Sequence, residues 1–125
     1  MTQRRASVFY ALVIAAYVAH FFEEACGGFI AIDRIGGLYV FIAVNLAIFS
    51  AAVFILVRIT AGKRWALKAG LVFSALMIAN GVGHITAALF IGHTIEGIVG
   101  HYTGIALIIV GIPAVYFLND SLRKS

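Results

Sequence analysis

The sequence predicts an all-α integral membrane protein: a single domain over residues 1–125, built as a bundle of four transmembrane helices with both termini cytoplasmic. Three observations lead there. The chain is 63% hydrophobic and only 11% charged, with mean hydropathy +1.07, too few polar residues to cover a soluble globule. Its apolar residues fall into four runs, at about 7–25, 38–59, 69–91 and 98–118, each close to the roughly 20 residues that carry a helix across the hydrocarbon core. The runs also lack the alternating polarity of about ten residues that a barrel strand requires.

The first run, Ser7–Ala25, follows Arg4 and Arg5 and so shares its outline with a cleaved signal peptide. Glu23 and Glu24 directly before Ala25-Cys26 make a poor cleavage site, so the run is expected to be retained as span one. Leu38–Ile59 and Ala69–Ile91 form spans two and three, and Ile98–Leu118 forms span four, where Pro113 is expected to kink the helix. The spacers are short, which makes consecutive spans antiparallel neighbours and leaves no room for a soluble domain.

Basic residues orient the bundle. Arg4 and Arg5 precede span one, Arg58, Lys63, Arg64 and Lys68 cluster between spans two and three, and Arg123 and Lys124 close the chain. The other two connections hold only Arg34. The positive-inside rule then places both termini and the central loop in the cytoplasm, with Trp65 and the tyrosines as interfacial anchors. The net charge of +4 reads as topology and contact with anionic headgroups, without nucleic acid as a partner. Cys26 is the one cysteine, so no intramolecular disulfide forms.

That topology gives each polar residue a depth. At about 1.5 Å per residue, His20, Glu23 and Glu24 lie in the outer half of span one. Asn45 is slightly outward of the middle of span two. Asn80 is near the middle of span three with His84 one turn further out, and His101 opens span four beside Tyr102 and Thr103. Ionisable groups at membrane depth cost a few kcal/mol, about 2.5–3.5 on insertion scales, and mark functional sites. Single Asn and His residues also act as interhelical hydrogen-bond glue worth about 0.6 kcal/mol, the simpler role for Asn45. Asp33, Arg34, His93 and Glu96 fall in loops, where solvated roles are expected.

Two carboxylates with two or three imidazoles form a mixed N/O donor set for Zn²⁺, Mn²⁺ or Fe²⁺. Helical bundles build metal sites from such side chains on facing helices. The expected ligands are His20, Glu23, Glu24, His84 and His101, with the carboxylate not used as a ligand acting as general base and Asn80 as an orienting donor. The catalytic set is thus Glu23, Glu24, His20 and Asn80. A metal-free alternative uses a protonated Glu beside a neutral His for acid/base isomerisation of a lipid-like substrate. A third reading makes the carboxylates proton carriers in a small transporter, or the protein a membrane assembly partner. No motif for a nucleotide or flavin cofactor is present.

Gly97, Gly104 and Gly111 recur every seven residues on span four, and Gly100 and Gly104 form a small-xxx-small pair. They suit close helix packing, or a homodimer through that glycine face. Gly81 and Gly83 flank Asn80 and His84. Val18-Ala19-His20 and Val82-Gly83-His84 also hold equivalent places in the two hairpins.

The run His20-Phe21-Phe22-Glu23-Glu24 matches the His-x-x-Glu-Glu signature of the HXXEE family of small bacterial membrane proteins, which this chain resembles over nearly its whole length. Asn80-Gly81-Val82-Gly83-His84 resembles that family's Asn-x-x-x-His element, and Gly97 to Gly104 loosely resembles a glycine- and threonine-containing segment near its end. A Tyr-x-Pro-Gly element is not evident before the last span. The resemblance implies a polar site in a bacterial inner (plasma) membrane protein, without naming a reaction. The expected function is that of a small membrane enzyme acting on a membrane lipid or other lipophilic molecule, with a divalent metal as cofactor.

Overall fold

The computed structural model describes residues 2–27, 32, 36–91 and 100–124. Four long helices organise them: α1 (Thr2–Gly27), α2 (Leu38–Thr60), α3 (Arg64–Ile91) and α4 (His101–Lys124). All four are long and apolar enough to cross a membrane. The shortest has 23 residues and so reaches roughly 34 Å at about 1.5 Å per residue, against a hydrocarbon core of about 30 Å.

The helices outrun the apolar stretches at the basic end. The first begins at Thr2 and the last continues to Lys124, because backbone hydrogen bonding carries on where side chains turn polar. The polar start of α1 has a structural use: Gln3 Nε2 donates to Ile59 O at the end of α2, 2.9 Å away, adding to the Gly62 N–H that the same carbonyl accepts at 2.9 Å and tying α1 to the helix end. Pro113 lies inside α4, which continues on both sides of it. The loop pairs Asp33–Arg34 and His93–Glu96 lie outside the described residues.

Side-chain contacts fix the order of the bundle. Gln3 meets Ile59 while Tyr17 meets Asn45, so α1 and α2 run in opposite directions. Phe9 stacks on Phe117 while Glu23 meets Thr103, so α1 and α4 do too. Across the diagonal, Tyr10 packs on Phe73 and His20 on His84, so α1 and α3 are parallel. The result is an up-down-up-down bundle. Its N-terminal end, its C-terminal end and the α2–α3 turn share one pole, with Arg4, Arg5, Arg58, Lys63, Arg64, Arg123 and Lys124.

Buried positions on three helices alternate three and four apart. On α1 the stripe runs through Ala6, Tyr10, Val13, Tyr17, His20 and Glu24, with Ile14 and Ala16 buried beside it, and on α4 through Gly104, Leu107, Gly111, Ala114, Leu118 and Ser121. An average of 3.5 is the period of a seam between helices that cross at about 20°. On α3 the seam includes Gly70, Ser74, Gly81 and His84. Lipid is as apolar as leucine, so close packing has to hold such a seam. A methyl group on Gly81 would collide with the backbone oxygen of Gly104, and one on Gly111 would lie 2.5 Å from Ile78 Cγ1. The glycine face of α4 at Gly104 and Gly111 is therefore covered by α3 of the same chain.

The second helix is peripheral. It buries Phe41, Ala52 and Ile59 and otherwise turns most of its side chains outward. Toward the basic pole the seam buries Tyr10, Ser74 and Ser121, whose hydroxyl oxygens have no hydrogen-bond partner among the described residues. A layer of Ala16, Tyr17 and Leu107, with Phe73 and Met77 packed on it, lies between these hydroxyls and the opposite pole.

Candidate functional site

The polar cluster forms at the pole away from the basic residues, in the last two turns of α1. Each helical residue turns about 100°, so Glu24 sits about 40° to one side of His20 and Glu23 about 60° to the other. That rotation sends the two carboxylates to different helices, with Glu24 toward α3 and Glu23 toward α4.

Glu24 Oε1 lies 3.1 Å from His84 Nε2 and 3.5 Å from His20 Nε2. The two imidazoles meet edge to face, with centroids 4.6 Å apart and planes at 83°. One ligand atom from each of His20, Glu24 and His84 falls within 4.8 Å of the others, and all three residues are buried, at 1%, 8% and 7% exposure. Asn80, one turn before His84 on α3, places Nδ2 3.0 Å from His20 Nε2.

Glu23 serves the first turn of α4. Its Oε1 accepts the Gly100 N–H at 3.0 Å, and its Oε2 accepts the Thr103 N–H at 3.0 Å and the Thr103 hydroxyl at 2.5 Å. Helix N-termini carry unpaired N–H groups and a partial positive charge, so a carboxylate from a neighbouring helix fits there. Thr103 Oγ1 also lies 2.8 Å from His20 Nδ1, which links this cap to the imidazole pair. Gly100 makes the close approach possible: with φ +97°, its backbone is one that side chains rarely adopt, and a methyl there would lie 2.8 Å from both His20 Cε1 and His84 Nδ1.

Of the residues the sequence nominates, His20, Glu24, His84 and Asn80 come together. Glu23 is adjacent, with its oxygens hydrogen-bonded to Gly100, just before α4, and to Thr103 in its first turn, and lies outside the three-residue group that can hold an ion. The His101 backbone begins α4, while its side chain lies outside the described part of the structure. Asn45 joins α1 to α2 instead: its Oδ1 accepts the Tyr17 hydroxyl at 2.6 Å, and its Nδ2 donates to Phe41 O at 2.9 Å. Gly83 has open space where a Cβ would stand. Gly100 and Thr103 are the members that sequence reasoning did not name as site residues. Their signal was a small and a hydroxyl residue at the start of span four, level with the two histidines.

Chemically, two imidazole nitrogens and one carboxylate oxygen form the donor set of many catalytic zinc centres, which keep a fourth position open. The same three groups without an ion form a hydrogen-bonded acid/base cluster. Comparison with protein-family models, curated proteins and solved structures returns no match for this chain.

Proposed function

We propose that this chain is a small integral membrane enzyme of the HXXEE type, using a divalent metal held by His20, Glu24 and His84 to act on a lipophilic substrate. The observation that carries the reading is the convergence of three buried ligand atoms from two helices within 4.8 Å. Bound there, Zn²⁺, Fe²⁺ or Mn²⁺ would supply Lewis acidity and a polarised oxygen nucleophile. Because Asn80 Nδ2 meets His20 Nε2, ligation through that nitrogen would release Asn80 to orient a substrate or a second ligand atom.

A lipophilic substrate suits the surroundings. A cleft of about 180 Å³ opens between α1 and α2, lined by Tyr17, Val18, Phe21, Phe22, Ile42, Asn45, Leu46 and Phe49. Tyr17 belongs to the cleft and to the same buried stripe as His20 and Glu24. By the positive-inside rule the basic pole is cytoplasmic, which puts the cluster in the extracytoplasmic half of a bacterial inner membrane.

A metal-free reading has its own support, because one carboxylate oxygen faces two Nε2 atoms at 3.1 and 3.5 Å. That arrangement moves a proton between Glu24 and an imidazole, as isomerisation of a lipid requires. A proton carrier is less well supported, since the layer around Leu107 stands between the cluster and the hydroxyls of the basic half.

Elemental analysis of detergent-purified protein beside Glu24→Gln and His84→Ala variants tests the metal. Near-stoichiometric Zn, Fe or Mn in the wild type, lost in both variants, supports the metalloenzyme. A folded wild type that takes up none of the three when they are supplied overturns it, and acid/base chemistry then leads.

A further inference from the structure

We infer, on the basis of the His20–Glu24–His84 site proposed above, that Thr103 is a positioning residue that sets the tautomer of His20. It holds the ring proton on Nδ1, so that the Nε2 lone pair faces Glu24 and His84, and Glu23 is the anchor that makes Thr103 an acceptor toward the ring.

Proton counting along the chain leads to this. A threonine hydroxyl has one proton to donate. Donors that converge on Glu23 include the N–H groups of Gly100 and Thr103 and the Thr103 hydroxyl, the last at 2.5 Å. Both Glu23 oxygens accept backbone N–H groups at the helix start, so the carboxyl faces its neighbours as an acceptor, and the Thr103 hydroxyl donates to it. The 2.8 Å contact between Thr103 Oγ1 and His20 Nδ1 then needs its hydrogen on Nδ1. A neutral imidazole with Nδ1–H has its lone pair on Nε2, the atom to which Asn80 Nδ2 donates at 3.0 Å. The Thr103 and Asn80 contacts therefore agree on one tautomer, and Glu24 Oε1, 3.5 Å from the same Nε2, stands beyond the usual hydrogen-bond distance. The opposite tautomer would set the Thr103 oxygen against the Glu23 carboxylate without a proton, and the Nε2 hydrogen against the Asn80 amide.

Metal-binding histidines are commonly held this way, by a hydrogen bond from the nitrogen that does not meet the ion. Here the holder is a hydroxyl backed by a carboxylate, and the backing carboxylate is the neighbour of the proposed ligand. Both acidic residues of the motif thereby act on His20, Glu24 by direct contact and Glu23 through Thr103.

The test is ¹⁵N NMR of histidine-labelled, full-length protein in lipid bilayers without added metal, with His20 assigned by its loss in His20→Gln. The wild type is expected to show His20 protonated at Nδ1. Thr103→Val should mix the tautomers and weaken Zn²⁺ binding about 10–100-fold, the range for loss of such partners. Thr103→Ser should restore both. A wild-type His20 protonated at Nε2 overturns the assignment, and this measurement needs no variant to fold. A Thr103→Val protein with an unchanged His20 signal overturns it as well. If wild type and variants alike bind no Zn²⁺, the metal reading fails while the tautomer result stands by itself.

Discussion

Glu23 and Glu24 share a peptide bond and serve different helices: Glu23 Oε2 accepts the Thr103 hydroxyl of α4 at 2.5 Å, while Glu24 Oε1 lies 3.1 Å from His84 Nε2 of α3. Two carboxylates turned by about 100° on a helix thus divide into a cap for one neighbour and a candidate ligand for the other.

That division predicts unlike variants. Glu24→Gln should cost at least tenfold in Zn²⁺ affinity and leave the bundle folded. Glu23→Gln should keep one metal per chain at saturating zinc but lower stability by about 1–3 kcal/mol, the cost of buried donors losing a charged acceptor. Denaturation in detergent beside metal titration separates the two, and the reverse pattern would exchange their roles.

Gly100 is a second sensitive point. Gly100→Ala adds a methyl 2.8 Å from both imidazoles at φ +97°, and strain of this kind costs about 1–3 kcal/mol. Weakened metal binding together with a lowered melting temperature is expected. A variant that melts and binds like the wild type would show that the α4 start does not press on the histidines.

The α3–α4 contact can be probed with an internal control. Gly81→Ala meets the Gly104 backbone oxygen, whereas Gly83→Ala meets nothing within 4 Å. Overpacking at Gly81 should destabilise by about 1–3 kcal/mol, and Gly83→Ala should stabilise by up to about 1 kcal/mol through helix propensity. Equal effects in thermal melts would mean that the close approach does not hold the helices together.

Tyr17→Phe removes the 2.6 Å bond to Asn45. Interhelical hydrogen bonds in membranes average about 0.6 kcal/mol and reach about 1.7, so a small loss of stability with unchanged metal content is expected. Loss of metal in Tyr17→Phe would place this tyrosine in the site itself.

The sequence by itself determined the number of long apolar helices and their order, because apolar length is what suits a helix to cross a bilayer. It also set His20, Glu24, Asn80 and His84 at one level, since depth follows from a fixed rise per residue. Rotation about each helix axis was open. One residue changes the facing direction by about 100°, and in so apolar a chain hydropathy distinguishes faces poorly. Only the tertiary structure decided that Glu23 turns to α4 and Asn45 to Tyr17, and that Thr103 joins the cluster. Contacts such as Gly81 against Gly104 made that choice: where two backbones come this close, the packing fixes which side of each helix faces inward.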